Sequence, residues 1–363
     1  MNEVTGTADS RAVVAKKKLS EEFFKKGVSI ALFSGLTYGL YSAFLTMGMA
    51  KGVWSDWYGP NTAGLSAFTI TYLLGALGGA VNDICSAVWA VFNAIIKGKF
   101  GDFLRCLNTT PGRIMILAAL VGGPISSTAY VVALQMAGSI IIPITALCPA
   151  IGAILGRILF KQKLSKRMII GIVICVCASF LIGSTSIAGD ASENMLLGIG
   201  IAFIAALGWG FEGCVAGYGT SMIDSEIGIT IRQATSGLAN LIILVPIFGK
   251  MAGSVSLSFD LAGQAFTSGP AMIWFALSGL CSFLSFMTWY KGTSMCGAAL
   301  GLACNGTYSF WGPFCCWIVL GVLGGMEGWS LPPIVWIGAI AMMFGILVMS
   351  MNPLDLFRKK EAK

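Results

Sequence analysis

Long apolar stretches fill this chain, broken by short polar segments that gather nearly all of its charge. Runs of about 20 apolar residues recur between Gly27 and Asn352, each long enough to cross a hydrocarbon layer roughly 30 Å thick. They predict helices near 27–50, 63–85, 113–135, 137–160, 168–187, 195–220, 227–249, 269–290, 293–323 and 333–352. Lipid offers the backbone no water, so each run is expected to satisfy its own hydrogen bonds as a helix. The expected fold class is therefore an all-α polytopic membrane protein with ten transmembrane helices. Apolar character in the second run continues through Trp89, Phe92 and Ile96, which predicts a long helix leaving the bilayer. Met1–Ser20, rich in Lys, Thr and Ser, has too little apolar content for a core and is expected to be a disordered tail.

Composition agrees with this pattern. Of the 363 residues 56% are hydrophobic and 11% charged, against roughly one-quarter charged in soluble domains. The apolar run after Lys16, Lys17 and Lys18 is too long for a signal-peptide core and reads as a retained first helix. An even number of crossings puts both termini on one side, and the basic residues choose it. Arg11, Lys25, Lys26, Lys97, Lys99, Arg105, Arg113, Lys161, Lys163, Lys166, Arg167 and the tail Arg358–Lys363 then share the cytoplasmic side. The other side keeps Lys51 and Lys250 with Asp56, Asp190, Glu193, Asp260 and Glu327. The expected location is the cytoplasmic (inner) membrane. The net charge of +7 thus serves topology, and no sustained basic-aromatic face points to nucleic acid. Eleven cysteines, among them Cys175, Cys177, Cys315 and Cys316, fall mostly inside apolar runs and read as reduced thiols. Without histidine or paired C-x-x-C clusters neither a metal site nor a cofactor is expected, and no nucleophile-base motif suggests an enzyme.

The chain repeats itself. Tyr130–Pro149 (YVVALQMAGSIIIPITALCP) aligns without a gap to Phe286–Asn305 (FMTWYKGTSMCGAALGLACN), and Gly171–Leu181 matches Gly338–Val348 in character. Five runs per half, an odd number, would insert the halves in opposite senses, as in many transporters. The expected division is a tail at 1–20, a first five-helix repeat at 21–190, a second at 191–353 and a tail at 354–363.

Within Ser126–Gly183 the order is a helix ending in ALQMAGS, a helix holding Pro149, the basic turn LFKQKLSKR and GIVICVCASFLIG. Gly208–Gly219 (GWGFEGCVAGYG) and GAIAMMFGILVM give the second copy. This layout resembles the EamA-like repeat of the drug/metabolite transporter superfamily. The resemblance implies ten helices, a central cavity between the halves and alternating access driven by ions or exchange. One departure is the turn before the fifth helix, where the usual acidic residue is here Gln162; the second half instead has an extended loop, Gly324–Ser330, with Glu327.

Charges inside apolar spans cost several kcal/mol and are rarely kept without a partner or a task. Glu212 lies in the sixth span with Trp209, Gly208, Ala216 and Gly219 on its face, and suits a substrate cation or a coupling proton. The competing reading is a buried ion pair with Arg157, Arg232 or Lys291. Asp83, beside Asn82 and on the face of Tyr72, Ala76 and Gly79, is the second coupling candidate. It is intramembrane if its helix runs on toward Lys97, and an ordinary cap otherwise. Tyr38 and Tyr41 with Ser34 and Ser42, Ser127 with Tyr130, and Asn305 with Tyr308 and Ser309 are candidates to line a cavity. Trp54, Trp57 and Tyr58 are expected in the interfacial belt. Pro143 and Pro149, and Asn305-Gly306 with Gly312-Pro313, interrupt helices at matched places in the two halves. The expectation is a secondary transporter of a small polar metabolite. An organic cation is favoured over a neutral sugar, a proton or cation is the coupling partner, and room is left for a homodimer. The alternative of another class is a receptor or scaffold.

Overall fold

The computed structural model describes residues 3–59, 64–159, 161, 164–188, 193–220, 222–296 and 304–350. Among them the structure is helical throughout, without strands. The helices are α1 (Glu3–Gly48), α2 (Val53–Tyr58), α3 (Leu74–Ile96), α4 (Phe100–Cys106), α5 (Thr110–Leu120), α6 (Thr128–Ala137), α7 (Ile141–Thr145) and α8 (Cys148–Leu159). They continue as α9 (Lys166–Ala188), α10 (Glu193–Thr220), α11 (Ser225–Ala239), α12 (Val245–Met251), α13 (Val255–Thr267), α14 (Gly269–Cys296), α15 (Tyr308–Cys316) and α16 (Pro333–Ser350). Wide π-helical turns at Thr69–Leu73, Val121–Ser127 and Asn240–Leu244 lead into α3 and join α5 to α6 and α11 to α12, and a fourth at Trp317–Leu323 extends α15.

Six described helices are long and apolar enough to cross a membrane: Glu22–Gly48, Thr69–Ile96, Thr110–Thr145, Asn194–Val215, Ser225–Met251 and Gly269–Gly292. Shorter apolar helices cover Cys148–Leu159, Tyr308–Leu323 and Pro333–Met349. Large apolar side chains such as Ile96, Ile158, Phe180 and Leu323 face outward, whereas Ser34, Asn82, Asp83, Glu212, Arg232 and Asn240 are buried. This inversion of the soluble pattern suits lipid outside and a polar interior. The chain is a multi-pass helical membrane protein.

Close helix crossings hold the interior together. A methyl group on Gly237 would come within 2.9 Å of the Asp83 carbonyl oxygen, so α11 lies directly on the α3 backbone. On the other side of α3, Gly279 of α14 lies as closely on Cys85. Small residues permit such contact where lipid supplies little drive for helices to associate.

The structure changes two readings and decides between two others. The tail expected to be disordered is helical from Glu3, continuous with α1; extending a formed helix avoids the cost of a new nucleus, which composition does not register. Trp54 and Trp57 are buried instead of lying in a belt: Gly52, with φ 57°, turns the chain so that α2 folds back, and the Trp54 ring sits 5.3 Å from Phe275. The helix containing Asp83 runs from Thr69 to Ile96, which places that carboxylate mid-helix and not at a cap. Gln162, Lys163 and Asp190 lie outside the described residues.

Candidate functional site

Five aromatic residues from four helices converge at the centre. Tyr38 of α1 stacks on Tyr308 of α15 with ring centroids 4.3 Å apart. It meets Tyr41, Tyr130 and Trp209 edge-on at 5.3, 5.9 and 6.2 Å. Tyr41 stacks on Tyr130 at 6.0 Å, and Tyr130 tilts against Trp209 at 5.2 Å. The four tyrosines are buried and Trp209 is half-buried. Their polar ends are tied down unequally. The Tyr130 hydroxyl pairs with Ser42 Oγ at 2.5 Å, and the Tyr308 hydroxyl lies 3.6 Å from Cys148 Sγ. Trp209 Nε1 donates to the Gly122 carbonyl at 3.0 Å, whereas the Tyr38 hydroxyl is buried without a hydrogen-bond partner.

Local sequence explains this convergence. The widened turn at Val121–Ser127, which contains Pro124, leaves carbonyls unused by the helix. Gly122 O accordingly accepts from both Trp209 Nε1 and Ser127 Oγ. The fourth segment breaks at Ala146–Leu147, between α7 and α8, and the ninth turns at Gly306–Thr307 just before Tyr308. These breaks meet directly: Tyr308 reaches Cys148, and Gly312 lies against Ile142. Asn305 is tied to the first helix. Its Nδ2 donates to Ser34 Oγ at 3.0 Å, one turn of α1 below Tyr38.

Beside the rings lies a charged core. Of the three cations considered for Glu212, Arg232 is the partner: Nε donates to Oε1 at 2.8 Å and Nη2 to Oε2 at 3.2 Å, a two-pronged fork. Arg232 Nη1 also donates to Gln233 Oε1 at 2.8 Å, and the guanidinium lies 4.1 Å from the Phe286 ring centroid. Gly122 makes room for the pair, since a methyl group there would collide with the Glu212 carboxylate. Glu212 is only 5% exposed, so the ion-pair reading holds for it in this conformation. Ala216 and Gly219 lie outside the residues whose side chains are described.

Asp83 is held by neutral donors. Oδ2 accepts from Ser236 Oγ at 2.5 Å and Asn240 Nδ2 at 2.8 Å, while Oδ1 accepts only a long bond, 3.3 Å, from Asn82 Nδ2. Behind the two amides stand hydroxyl donors, Thr128 on Asn240 Oδ1 at 3.1 Å and Ser278 on Asn82 Oδ1 at 2.6 Å. Arg232 and Ser236 on α11 and Asn240, the first residue of the wide turn after it, follow at i, i+4 and i+8, a polar stripe that helical spacing in the sequence could have revealed.

A third cluster ties the end of α3 to the start of α11. Lys97 Nζ lies 2.6 Å from Glu226 Oε1, and Lys99 Nζ lies 2.9 Å from Glu226 Oε2 and 3.0 Å from Asp224 Oδ2. The Glu226 hydrogen bond foremost, joined by Asp224, raises the Lys99 ammonium above its usual range. Partial burial pushes the Asp224 carboxyl up, but the Lys99 hydrogen bond and the Glu226 backbone N–H outweigh it and hold the group below its usual range. Asp224 also caps α11 through the N–H groups of Glu226 and Ile227.

No family model matches the chain. Among curated proteins it is similar to Protein LicB of Haemophilus influenzae, 24% identical over 196 residues. That match takes in 54% of this chain and 63% of LicB, less than two thirds of the relative's length. A protein of known crystal structure superposes with a TM-score of 0.52 at 16% identity, over 92% of this chain and 99% of that one, a likeness of fold alone.

Proposed function

We propose that this chain is a secondary transporter of a small organic cation, an amine or choline-like compound, of the EamA-like kind. The observation that carries the reading is the convergence of Tyr38, Tyr41, Tyr130, Trp209 and Tyr308, drawn from both halves of the chain. Ring faces attract alkylammonium groups, and several around one point make a cage for a quaternary nitrogen. Charge supports it as well. The buried charged side chains among the described residues are Asp83, Glu212 and Arg232, so with both carboxyls ionised the core carries one negative charge in excess. Glu212 does not supply that excess, being matched by Arg232. The rings now touch one another, so a ligand enters only when Tyr38 parts from Tyr308, that is, when the α1 and α15 faces separate.

The neighbours of each helix support ten crossings in two inverted five-helix repeats. Numbering the expected segments in order, the first packs on the eighth and the third on the sixth. The second packs on the seventh, the fourth on the ninth and the fifth on the tenth. Exchanging each segment with the one five places along turns the first two contacts into each other and leaves the rest unchanged. Two halves related by a two-fold axis in the membrane plane give this pattern. On this reading the charge asymmetry places both termini in the cytoplasm of an inner-membrane protein. A cysteine replacing Lys99 is then labelled from the cytoplasmic side and one replacing Glu327 from the other, and labelling of both from one side would overturn the parity.

Uptake of labelled choline into proteoliposomes tests the function. Competition by unlabelled amines, with none by neutral sugars, is the expected result. Competition by sugars alone moves the assignment to a neutral metabolite, which the hydroxyl and amide groups around the rings would then serve.

A further inference from the structure

The Asp83 carboxylate is bound asymmetrically, and the asymmetry has a chemical reading. Oδ2 is saturated by two short donors, Ser236 and Asn240, whereas Oδ1 has a single long one from Asn82. A proton arriving at Asp83 therefore goes to Oδ1, where it turns an acceptor into a donor. The Asn82 amide must then present its oxygen to Asp83 and its Nδ2 to Ser278 Oγ, the reverse of the present arrangement. Ser278 must in turn find a new acceptor for its own hydrogen. One stands ready: Ser278 Oγ is 3.1 Å from the backbone carbonyl oxygen of Tyr41 as well as 2.6 Å from Asn82 Oδ1. Both protonation states of Asp83 thus keep the same set of paired atoms, by turning one amide and one hydroxyl.

We propose that Asp83 takes up a proton at Oδ1 and that Asn82 and Ser278 relay the change to the Tyr41 carbonyl, in the helix that carries Tyr38 and Tyr41 into the ring cluster. Asp83 is the proton site, and Asn82 and Ser278 are positioning residues. The proton comes from a hydronium ion when the halves part, leaving water, and no other covalent bond to hydrogen is broken. The titratable groups facing Asp83 are Tyr41 from α1, Arg232 from α11 and Cys85 on its own helix. Beyond Arg232 stand Glu212 of α10 and Tyr290 of α14. Since Arg232 is already committed to Glu212, it leaves Asp83 without a hydrogen-bonded cation, so the carboxyl can lose and gain a proton without first breaking an ion pair. The coupling role deepens the transport reading and rests on it; the relay itself does not.

Infrared difference spectra of purified protein between neutral and acid pH test the relay without any substrate. Protein carrying ¹³C at the tyrosine backbone carbonyl is expected to show two changes on acidification beyond the titration of its exposed carboxyls, an additional protonated-carboxyl band from Asp83 and a shift in a labelled carbonyl band. Asp83→Asn is expected to lose both, and Ser278→Ala to keep the carboxyl band and lose the carbonyl shift. If Asp83→Asn does not fold, wild-type protein labelled at the aspartate side-chain carboxyl carbon takes its place, and the new band must move with that label. A wild-type protein without the carboxyl band, or a carbonyl shift that survives Ser278→Ala, overturns the proposal. Choline binding on the same samples reads the transport assignment separately: failure to bind choline with the relay intact refutes the ligand and not the proton site.

Discussion

Glu212→Gln is expected to lose about 3–5 kcal/mol of stability, because the Arg232 guanidinium then stays buried without its counter-charge. The change keeps size and one acceptor oxygen but turns the other arm of the fork into a donor, so the loss combines the charge with one Arg232 hydrogen bond. Arg232 has no easy retreat to water, since it is 1% exposed, stacked on Phe286 and bonded to Gln233. Replacing both partners, in Glu212→Met with Arg232→Met, should restore much of the stability, since a buried pair replaced by apolar groups is often neutral or better. Arg232→Lys should resemble the single Glu212 variant more than the wild type, because an ammonium cannot reproduce the fork. Thermal melting in one detergent compares the four proteins. A Glu212→Gln protein melting with the wild type would mean that the pair contributes nothing, and would return Glu212 to the list of groups waiting for a ligand.

That expectation differs from what sequence alone suggests for Glu212, and the difference is instructive. An acid in an apolar span signals either a site or a partner, and Arg232, twenty residues away on the next helix, was among the partners it allowed. What decides is whether α10 and α11 bring the two into register, a tertiary fact that no local pattern carries. Helix positions fared better, since a long apolar run in lipid has one backbone solution. Tyr38, Tyr41, Tyr130, Trp209 and Tyr308 were each legible as aromatic positions on polar helix faces, although their meeting depends on the breaks before α8 and α15. Asn305, at one of those breaks, ties the turn to Ser34, a pairing that no local pattern announces. Ser278 was invisible, because a lone serine in an apolar helix has no distinguishing pattern until Asn82 stands opposite it. Trp54 and Trp57 misled for a related reason: tryptophan near a span end fits a belt, and only the turn at Gly52 sends them inward.

Tyr38 separates the cation reading from the sugar reading most sharply, because it touches each of the other four rings and its buried hydroxyl has no hydrogen-bond partner among the described residues. If the site binds a cation, the ring matters and the oxygen does not. Tyr38→Phe should then bind choline about as well as the wild type, with a melting temperature unchanged or raised, since it deletes a buried orphan hydroxyl. Tyr38→Ala removes one wall of the cage and should weaken choline binding by roughly 5- to 30-fold, the equivalent of about 1–2 kcal/mol for a desolvated cation–π contact. Lost ring packing lowers stability too, by about 0.5–1.5 kcal/mol per aromatic pair, so affinity needs a control against general loosening. The uncharged carbon analogue of choline, 3,3-dimethylbutanol, supplies it, having the same shape without the charge. Tyr38→Ala should narrow the ratio between the two ligands toward one, by weakening choline much more than the alcohol. If instead both ligands weaken equally, the ring only packs. If Tyr38→Phe loses as much as Tyr38→Ala, the hydroxyl is the group that binds, and a hydrogen-bonding neutral substrate becomes the better assignment.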